Sequence, residues 1–324
     1  MTERLSVFLS DGFDPVRNLA AESALCDLVK EGEMILYLWQ NDHTVVIGRN
    51  QNIWKECSLA VMEQDGITPV RRPSGGGAVW HDAGNLNYTF ITHSENYSED
   101  RQYAVLRRAL QACGISAQQS GRNDLLVNGK KISGSAYRHH DSVSFQHGTL
   151  LICCDVEKMM RYLRPSDAKL KANSVDSVRS RVMNLCEIRP DLTIREMRDQ
   201  LIRAAEAEYG MTAQIHEEIP SEVLRKYMDL YGSREWIYGR NSRFEKTYEK
   251  RFAWGSLSIE IHAEDGIIRE LSVWSDALQT EIAEEIHKLL EGVPASAKQM
   301  AAALETASEN TMVSDVMNWL RQEE

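Results

Sequence analysis

A glycine-rich stretch behind two arginines is the part of the sequence whose residue types best suit chemistry. Arg71 and Arg72 precede Pro73, Ser74 and the three glycines 75–77. Guanidinium groups bind anionic oxygens in a forked geometry, and glycine removes the side chain that would keep a ligand from the peptide groups. The stretch therefore predicts a loop that binds a small acid or a phosphate. A plain turn with a solvated arginine pair is the alternative.

A lysine pair on a predicted hairpin is the second candidate. Asn128-Gly129 is a strong hairpin-turn signal, and Lys130 and Lys131 begin the returning strand. Successive residues of a strand point to opposite faces, so that one lysine can face a pocket while the other faces solvent. A positioned ammonium would neutralise a carboxylate that attacks a phosphate, and later the phosphate that leaves. Two solvated lysines are the alternative.

Length and charge restrict the class of protein. A chain of 324 residues suffices for one large domain and a small one. The formal net charge of −11 argues against a general nucleic-acid binder, which needs a basic surface. Local basic spots at 71–72, 130–131 and 179–181 are what an anionic ligand requires.

Location and redox state follow from what the sequence lacks. No apolar run approaches the roughly 18–20 residues of a membrane span. The N-terminus lacks the basic-then-apolar pattern of a signal peptide. We therefore expect a cytoplasmic protein, with an organellar mature form as the open alternative. No CxxC pair and no metal-ligand spacing is present, so no metal site is identified. The six cysteines are predicted to be reduced and mostly buried: Cys26, Cys57, Cys113, Cys153, Cys154 and Cys186.

Hydrophobic periodicity and capping signals predict an alternation of strands and helices in the first two thirds of the chain. Predicted strands cover 5–10, 35–39, 44–48, 86–91, 125–127, 130–133 and 145–152, with 35–39 and 44–48 forming a hairpin. Predicted helices begin at the Asp14-Pro15 cap, at Leu59, at the Ser98 cap, at Asp155 and at the Thr193 capping box. The glycine loop is expected between two strands of one sheet, at its edge or mouth.

The remaining segments are predicted as follows. Residues 174–184, with Arg179 and Arg181, form either a mobile basic segment near the site or a solvated loop. A domain boundary is expected near 243–247. Beyond it, a hairpin over 252–262 and 267–274 precedes helices at about 280–291, 295–307 and 311–322. The chain is thus predicted to be α+β, with a catalytic domain over 1–245 and a smaller α+β accessory domain over 246–324.

Two motifs carry a resemblance to a known family. Residues 74–79 (Ser-Gly-Gly-Gly-Ala-Val) with His81-Asp82, and residues 128–136 (Asn-Gly-Lys-Lys-Ile-Ser-Gly-Ser-Ala), resemble the defining motifs of the lipoate-protein ligase A family. The resemblance begins at Asn18 and extends to the C-terminal segment. It implies the large mixed sheet of the biotin/lipoate ligase superfamily and an extra C-terminal domain.

The resemblance also implies residue roles. In the family, the lysine directly before the Ile-Ser-Gly-Ser-Ala run binds lipoate and the nucleotide phosphate, and that lysine is Lys131 here. ATP-binding positions are Arg72, Gly77, Ala78, Val79, Trp80 and Lys131. Positions for lipoate or lipoyl-AMP are Arg71, Ser74, Gly75, Gly76, Asp124, Lys131 and His147.

The implied reaction has two steps and no tightly bound cofactor. Lipoate attacks the α-phosphate of ATP with Mg²⁺, which gives lipoyl-AMP and pyrophosphate. A carrier lysine then takes the lipoyl group and AMP leaves. Implied partners are the lipoyl domains of 2-oxoacid dehydrogenase complexes and the glycine cleavage H protein, bound by a monomeric enzyme.

Three alternatives stay open at this point. The first is an ATP-independent lipoyl or octanoyl transferase on the same fold, although no nucleophilic cysteine matches and Cys153-Cys154 is predicted to be buried. The second is a non-catalytic lipoate-binding protein. A biotin ligase is weaker, because its GRGRxG-type loop is absent. Pyrophosphate release from lipoate and ATP without any carrier would separate them.

Overall fold

The computed structural model describes residues 2–10, 12–121, 123–164, 182–216, 218–239, 246–264 and 266–323. Over these residues the chain is α+β and divides into two compact units. The larger unit comprises Met1–Val46, Trp54–Arg72 and Ala78–Ile237. The smaller one comprises Ile47–Ile53, Pro73–Gly77 and Tyr238–Glu324. Most of the predicted basic segment 174–184, with Arg179 and Arg181, lies outside the described residues, as do residues 243–245 of the predicted boundary.

The large unit is built on an eight-stranded mixed sheet in the order β11-β1-β2-β6-β10-β9-β8-β7. Its strands are β1 (Arg4–Leu9), β2 (Glu33–Trp39), β6 (Asn85–His93), β7 (Gln118–Ser120), β8 (Asp124–Val127), β9 (Lys130–His140), β10 (Val143–Leu151) and β11 (Gln214–His216). Strand β1 runs parallel to β2 and β11, whereas β2, β6, β10 and β9 pair antiparallel.

Helices cover both faces of this sheet, with α4 and α6 on one face and α1 and α7 on the other. The described helices in the part of the chain before residue 240 are α1 (Pro15–Leu28), α2 (Ile53–Glu56), α3 (Leu59–Gln64), α4 (Glu99–Ala112), α5 (Val156–Tyr162), α6 (Ile194–Tyr209), α7 (Ser221–Tyr231) and α8 (Arg234–Tyr238). Strand β2 shows the two layers directly. Its Leu36 belongs to the core formed with α4 and α6, and its neighbour Tyr37 belongs to the core formed with α1 and α7. Every residue of β2 is buried, because the sheet has no solvent face there.

Local signals set the helix ends as expected. The Asp14 carboxylate accepts hydrogen bonds from the amides of Val16 and Arg17, and Ser98 caps α4. Thr193 accepts from the Glu196 amide, and Gly210 ends α6 in the left-handed conformation. These caps satisfy amides that have no partner inside the helix.

The hairpin predicted for 35–39 and 44–48 is wrong. Strand β2 pairs with β1 and β6, whereas β3 (Thr44–Ile47) belongs to a separate sheet of order β4-β3-β5. The connection between β2 and β3 is bound to α1, because the Asn18 side-chain amide donates to the Gln40 carbonyl and to the Asn41 side chain. The chain therefore leaves the large sheet after β2 and does not turn back along it.

The same small sheet corrects the expected position of the glycine loop. The loop joins β4 (Thr68–Arg71) to β5 (Val79–His81), and both flank β3. The strand predicted over 86–91 lies in the large sheet as β6. The loop therefore lies between two strands of one sheet, but its second strand is β5, a three-residue strand too short to show a period.

The small unit has its own core. Strands β12 (Lys246–Phe252), β13 (Gly255–Glu264) and β14 (Ile267–Ser275) form an antiparallel sheet. Helices α9 (Glu281–Leu290), α10 (Ala297–Leu304) and α11 (Thr311–Leu320) share a buried cluster with it. The hairpin and the three helices are confirmed, and β12 is an addition.

Two structural findings concern the sequence-based exclusions. No helix within the described ranges is long and apolar enough to span a membrane. Cys153 and Cys186 form a disulfide with a Cα–Cα distance of 5.5 Å, and Cys153 is exposed. The prediction of six reduced cysteines and of a buried Cys153 is therefore wrong, because the fold brings together two residues that lie 33 positions apart.

Candidate functional site

The lysine hairpin places the Lys131 ammonium beside a carboxylate. Lys131 Nζ lies 2.7 Å from Asp124 Oδ1, and both side chains are half-buried. The pairing shifts register at Leu125/Leu126, so that Leu125 faces Ser133 and Leu126 faces Lys131, with Ile132 as the extra residue. Such a bulge redirects side chains locally. Simple alternation along β9 therefore does not fix the direction of Lys131; the bulge does.

Gly134 makes room for the lysine. A Cβ at Gly134 would lie 2.7 Å from Lys131 Nζ and 2.8 Å from its Cε, closer than real Cβ contacts. Gly134 also pairs with Asp124 in the ladder. The side chain of Lys131 thus lies over the bare α-carbon of Gly134, and its ammonium meets Asp124 there.

The backbone of Lys131 has a further partner. The Met183 amide donates to the Lys131 carbonyl at 2.9 Å, and Val182 forms a parallel bridge with Lys131. This contact was not predicted, because no local signal joins the two segments. It holds the strand at the position that carries the lysine.

The two arginines of the glycine-rich stretch have different surroundings. Arg71 is buried, and its guanidinium donates to the carbonyls of Trp236 and Ile237. Trp236 Nε1 donates back to the Arg71 carbonyl. Through these contacts Arg71 holds α8 in place, in addition to any role in ligand binding.

Arg72 is buried in a more polar setting. Burial lowers the pKa of its guanidinium to about 10, and the charge of Glu22 acts in the opposite direction. At neutral pH the group is therefore a buried cation. Its Nη1 donates to the Val46 carbonyl.

Glu22 is the centre of this buried cluster and was missed as a site residue. It is fully buried on α1, and its Oε1 accepts from Thr89 Oγ1 at 2.7 Å and lies 2.7 Å from His147 Nδ1. Its Oε2 has no hydrogen-bond partner among the described residues. The sequence feature that points to it is a glutamate within the mostly apolar run 19–25, because a buried carboxylate needs hydrogen-bonding or charged partners.

His81 is the second missed residue. Burial, followed by the charges of Arg72 and His147, lowers the pKa of its imidazole to about 3. Its Nδ1 lies 3.3 Å from Asn41 Nδ2, whereas its Nε2 is buried and has no partner among the described residues. Buried polar atoms are normally hydrogen-bonded, so Glu22 Oε2 and His81 Nε2 mark positions for a bound polar group or water.

The Trp80 side chain is held in place by contacts with two neighbouring side chains. Its indole Nε1 donates to Asp82 Oδ2 at 3.1 Å, and its ring packs on Tyr162 with centroids 5.0 Å apart. Asp82 also accepts from the amides of Gly84 and Asp155. Asp82 thereby joins β5 to the chain that leaves β10. Ala78 and Val79, the predicted neighbours in nucleotide binding, are half-buried.

The three glycines of the loop differ in their surroundings. A Cβ at Gly75 would collide with the carbonyl oxygens of Ala277 and Leu278. Gly76 has a φ of 86° and donates its amide to the Ala277 carbonyl at 3.0 Å. A Cβ at Gly77 would meet nothing within 4 Å. Gly77 therefore has open space on its Cβ side, whereas Gly75 and Gly76 both contact the Ala277 carbonyl of the small unit.

Ser74 of the loop and the polar segment after β3 are also held inside the small unit. Ser74 is fully buried, and its carbonyl accepts the Arg49 amide at 2.8 Å. The Asn50 side chain donates to the Thr280 carbonyl, and the Asn50 carbonyl accepts the Ser275 amide. No group of three or more His, Cys, Asp or Glu suited to a metal occurs among the residues described.

Comparison with known proteins decides the family. The family described as lipoyl protein ligase A/B catalytic domain matches residues 14–206, and the bacterial lipoate protein ligase C-terminus matches residues 241–320. The chain belongs to the lipoyl protein ligase A/B family. Lipoate-protein ligase A of Psychrobacter cryohalolentis is 36% identical over 332 residues, covering 98% of each chain.

Solved structures of lipoate-protein ligases share the fold. LipL1 of P. falciparum, crystallised with lipoate, has a TM-score of 0.86 at 28% identity, covering 98% of this chain and 99% of that one. A lipoate-protein ligase A bound with ATP has a TM-score of 0.64 at 26% identity, covering 74% and 99%. The bipartite ligase of Thermoplasma acidophilum, solved in a study with its E2 lipoyl domain, has a TM-score of 0.65 at 27% identity, covering 75% and 98%. The resemblance and the fold class inferred from the motifs are thus confirmed.

Proposed function

We propose that the chain is an ATP-dependent, AMP-forming lipoate-protein ligase that activates lipoate as lipoyl-AMP and transfers the lipoyl group to carrier lysines. The observation that carries the proposal is the ammonium of Lys131, which the bulge, Gly134 and Asp124 fix at one place on β9. It occurs in a chain of the ligase family with both ligase regions matched.

In the first step, Lys131 offsets the negative charge of the two substrates. Lipoate and ATP are both anions, and the attack of a carboxylate on the α-phosphate brings their charges together. A cation held ready in position lowers this repulsion without reorganising during the reaction. An arriving anion competes with Asp124 for the ammonium, so that Asp124 positions the lysine until substrate takes it.

The other predicted roles become proposals with different support. Arg72 is a buried cation suited to a phosphate, and Gly77 offers main chain without a side chain in the way. With Ala78, Val79 and Trp80 they are proposed to hold ATP, with Mg²⁺ bound through the nucleotide phosphates. Arg71, Ser74, Gly75, Gly76, Asp124 and His147 remain proposed contacts for lipoate or lipoyl-AMP.

The second step needs a neutral amine. A carrier lysine with a pKa near 10.4 is about a thousandfold underpopulated as the amine at neutral pH, so the acyl group must already be activated as the adenylate. Proposed carriers are lipoyl domains of 2-oxoacid dehydrogenase complexes and the glycine cleavage H protein. We further propose a monomer in the cytoplasm, and a catalytic domain over 1–245 with an accessory domain over 246–324.

The state of the cysteines favours a ligase over an acyltransferase. A cysteine nucleophile works as a thiolate. Burial, with a contribution from Asp82, raises the pKa of the Cys154 thiol well above its usual range, and Cys153 is in a disulfide. Neither sulfur next to β10 is thus poised to attack an acyl group.

The test is pyrophosphate release from lipoate and ATP without a carrier, followed by lipoylation of an added lipoyl domain. We expect Lys131→Ala to lower kcat/KM at least about a hundredfold, the order found for removing one preorganised group. Lys130→Ala, which removes the neighbouring charge, is the matched control and should retain nearly full activity. Equal losses in both variants, or carrier acylation without pyrophosphate release, would refute the proposal.

A further inference from the structure

The disulfide connects two segments next to the lysine strand. Cys153 is an exposed residue in the chain between β10 and α5, and Cys186 lies on the short 3-10 helix Leu185–Glu187. Their Cα atoms are 5.5 Å apart, within the range that a disulfide spans without moving the backbone. The proposed reaction does not use this pair of cysteines.

The residues 182–187, here called the clamp segment, bind the end of β10. The Cys186 amide donates to the Ile152 carbonyl at 2.8 Å. The Asn184 side chain accepts from the Cys154 amide and donates to the Cys154 carbonyl, both at 2.8 Å. Three hydrogen bonds therefore support the disulfide on this side.

The clamp segment also binds the strand that carries the lysine. The Met183 amide donates to the Lys131 carbonyl at 2.9 Å, and Val182 lies opposite Lys131 in a parallel bridge. The segment thus connects the lysine position of β9 to the end of β10. The disulfide is its covalent connection among otherwise non-covalent contacts.

The disulfide can be approached by small thiols from the Cys153 side. Cys153 is exposed and Cys186 is half-buried, so a thiolate from solvent can approach the Cys153 sulfur. The adjacent Cys154 is buried. A buried, protonated thiol is a poor nucleophile, so Cys154 does not compete for the pairing.

We infer that Cys153 and Cys186 form a reversible thiol–disulfide site that takes small dithiols and glutathione as its reagents. Its oxidised state fixes the clamp segment on the Lys131 strand. A disulfide acts mainly by restricting the opened chain, so its loss increases local opening of the clamp without removing the hydrogen bonds. The effect on catalysis, but not the site itself, rests on the proposed ligase function.

The exchange balances in atoms and electrons. A thiolate of a dithiol attacks Cys153 Sγ, the bond to Cys186 breaks, and the Cys186 thiolate leaves and takes a proton. The second thiol of the reagent then attacks the mixed disulfide and releases Cys153 as a thiol. The dithiol becomes a cyclic disulfide and loses two electrons, which reduce the protein disulfide. Glutathione disulfide reverses the change and yields two glutathione thiols.

The first experiment maps the bond in the full-length protein. The protein is equilibrated in glutathione buffers from fully reduced to fully oxidised, and the remaining thiols are alkylated and analysed by peptide mass spectrometry. We expect a Cys153–Cys186 cross-linked peptide that appears on oxidation and disappears with dithiothreitol. Cys26, a half-buried free thiol, is the control residue and should form no cross-link. Absence of the cross-link in oxidised buffer would overturn the inference.

The second experiment measures amide hydrogen exchange in the two states. The Met183 and Cys186 amides should exchange at least about tenfold faster after reduction, because each opening of the clamp becomes more frequent. Cys186→Ser should resemble the reduced wild type in both buffers. If this variant fails to fold, the reduced wild type carries the comparison alone. Equal exchange in the two states would mean that the disulfide does not fix the clamp.

The third measurement separates this inference from the proposed function. The protein is reduced and the reductant is removed before lipoate is added, because a dithiol would also reduce the dithiolane of lipoate. Lipoate-dependent pyrophosphate release by the wild type should then fall about two- to fivefold. The same treatment should leave Cys186→Ser unchanged. Equal rates in both states would show that the site does not reach Lys131. If the oxidised wild type releases no pyrophosphate, the ligase proposal fails, while the cross-link and the exchange rates still decide the redox site.

Discussion

The lysine hairpin and the glycine loop carry the two family motifs, yet their geometry has different origins. In the hairpin, Lys131, Asp124 and Gly134 come from two adjacent strands joined by one turn. In the loop, Gly75 and Gly76 meet Ala277 and Leu278, which lie far along the chain. The hairpin arranges its own chemistry, whereas the loop takes its shape from a distant segment.

This difference predicts what substitutions do. A change in the hairpin should alter the reaction and leave stability nearly constant, because its side chains are half-buried and polar. A change at Gly75 should lower stability first, because the position is packed against backbone that cannot move alone. The glycines of the two motifs therefore meet different physical requirements.

The largest effect is expected for Gly75→Ala. Its Cβ would overlap the carbonyl oxygens of Ala277 and Leu278, so the backbone must shift. Overpacking of this kind costs about 3 kcal/mol. The measurement is urea unfolding followed by tryptophan fluorescence.

Gly77→Ala is the matched control within the same loop. Its Cβ would meet no atom within 4 Å, so the free energy of unfolding should change by less than about 0.5 kcal/mol. If nucleotide approaches the main chain there, KM for ATP should rise about tenfold in this variant. Equal destabilisation by both substitutions would remove the distinction between the two glycines.

The second effect concerns the pH dependence of stability, to which His81 on β5 contributes. Burial lowers the pKa of His81 to about 3, below its ordinary 6.5. Below pH 6.5 the unfolded chain binds a proton at His81 that the folded chain does not, so the unfolding free energy falls as the pH drops. From slightly alkaline pH down to about pH 5 this residue contributes a loss of about 2 kcal/mol.

Denaturant unfolding at several pH values tests this assignment. In His81→Asn the slope of stability against pH should be smaller below pH 6.5, and the two proteins should have parallel curves above it. Identical slopes in the acidic range would show that His81 is protonated in the folded protein. The hairpin has no buried imidazole of this kind, so Lys131→Ala should keep the wild-type slope.

Sequence reasoning succeeded where the determinants are local. The caps at Asp14, Ser98 and Thr193, the Asn128-Gly129 turn and the helix stop at Gly210 are each fixed by residues within a few positions. The family and its α+β fold followed from two short motifs.

It failed where partners lie far apart in the chain. Strands β2 and β3 read as a hairpin, but β2 pairs with β1 and β6. The disulfide joins residues 33 positions apart, and no periodic pattern marks it. Glu22 was visible as a charge in an apolar helix, but its contacts with Thr89 and His147 depend on the register of β6 and β10. The direction of Lys131 depends on a bulge that the alternation rule does not include.

The smallest effect, and the sharpest for the hairpin, is expected for Gly134→Ala. The added Cβ would lie 2.7 Å from Lys131 Nζ, and since this atom is the end of a flexible side chain, the lysine can move while the strand stays in place. Stability should change little, whereas kcat/KM for pyrophosphate release should fall about tenfold, because a displaced cation stabilises the developing charge less well.

Gly12→Ala is the control for this variant, since its Cβ would meet nothing within 4 Å, and it should leave both quantities unchanged. A Gly134→Ala enzyme with wild-type kcat/KM would mean that the ammonium works from another position than the one beside Asp124. A loss of stability as large as that of Gly75→Ala would mean that the hairpin, like the loop, is shaped by packing rather than by the place its lysine needs. Only a fall in activity at constant stability supports the view that the hairpin builds its own chemistry.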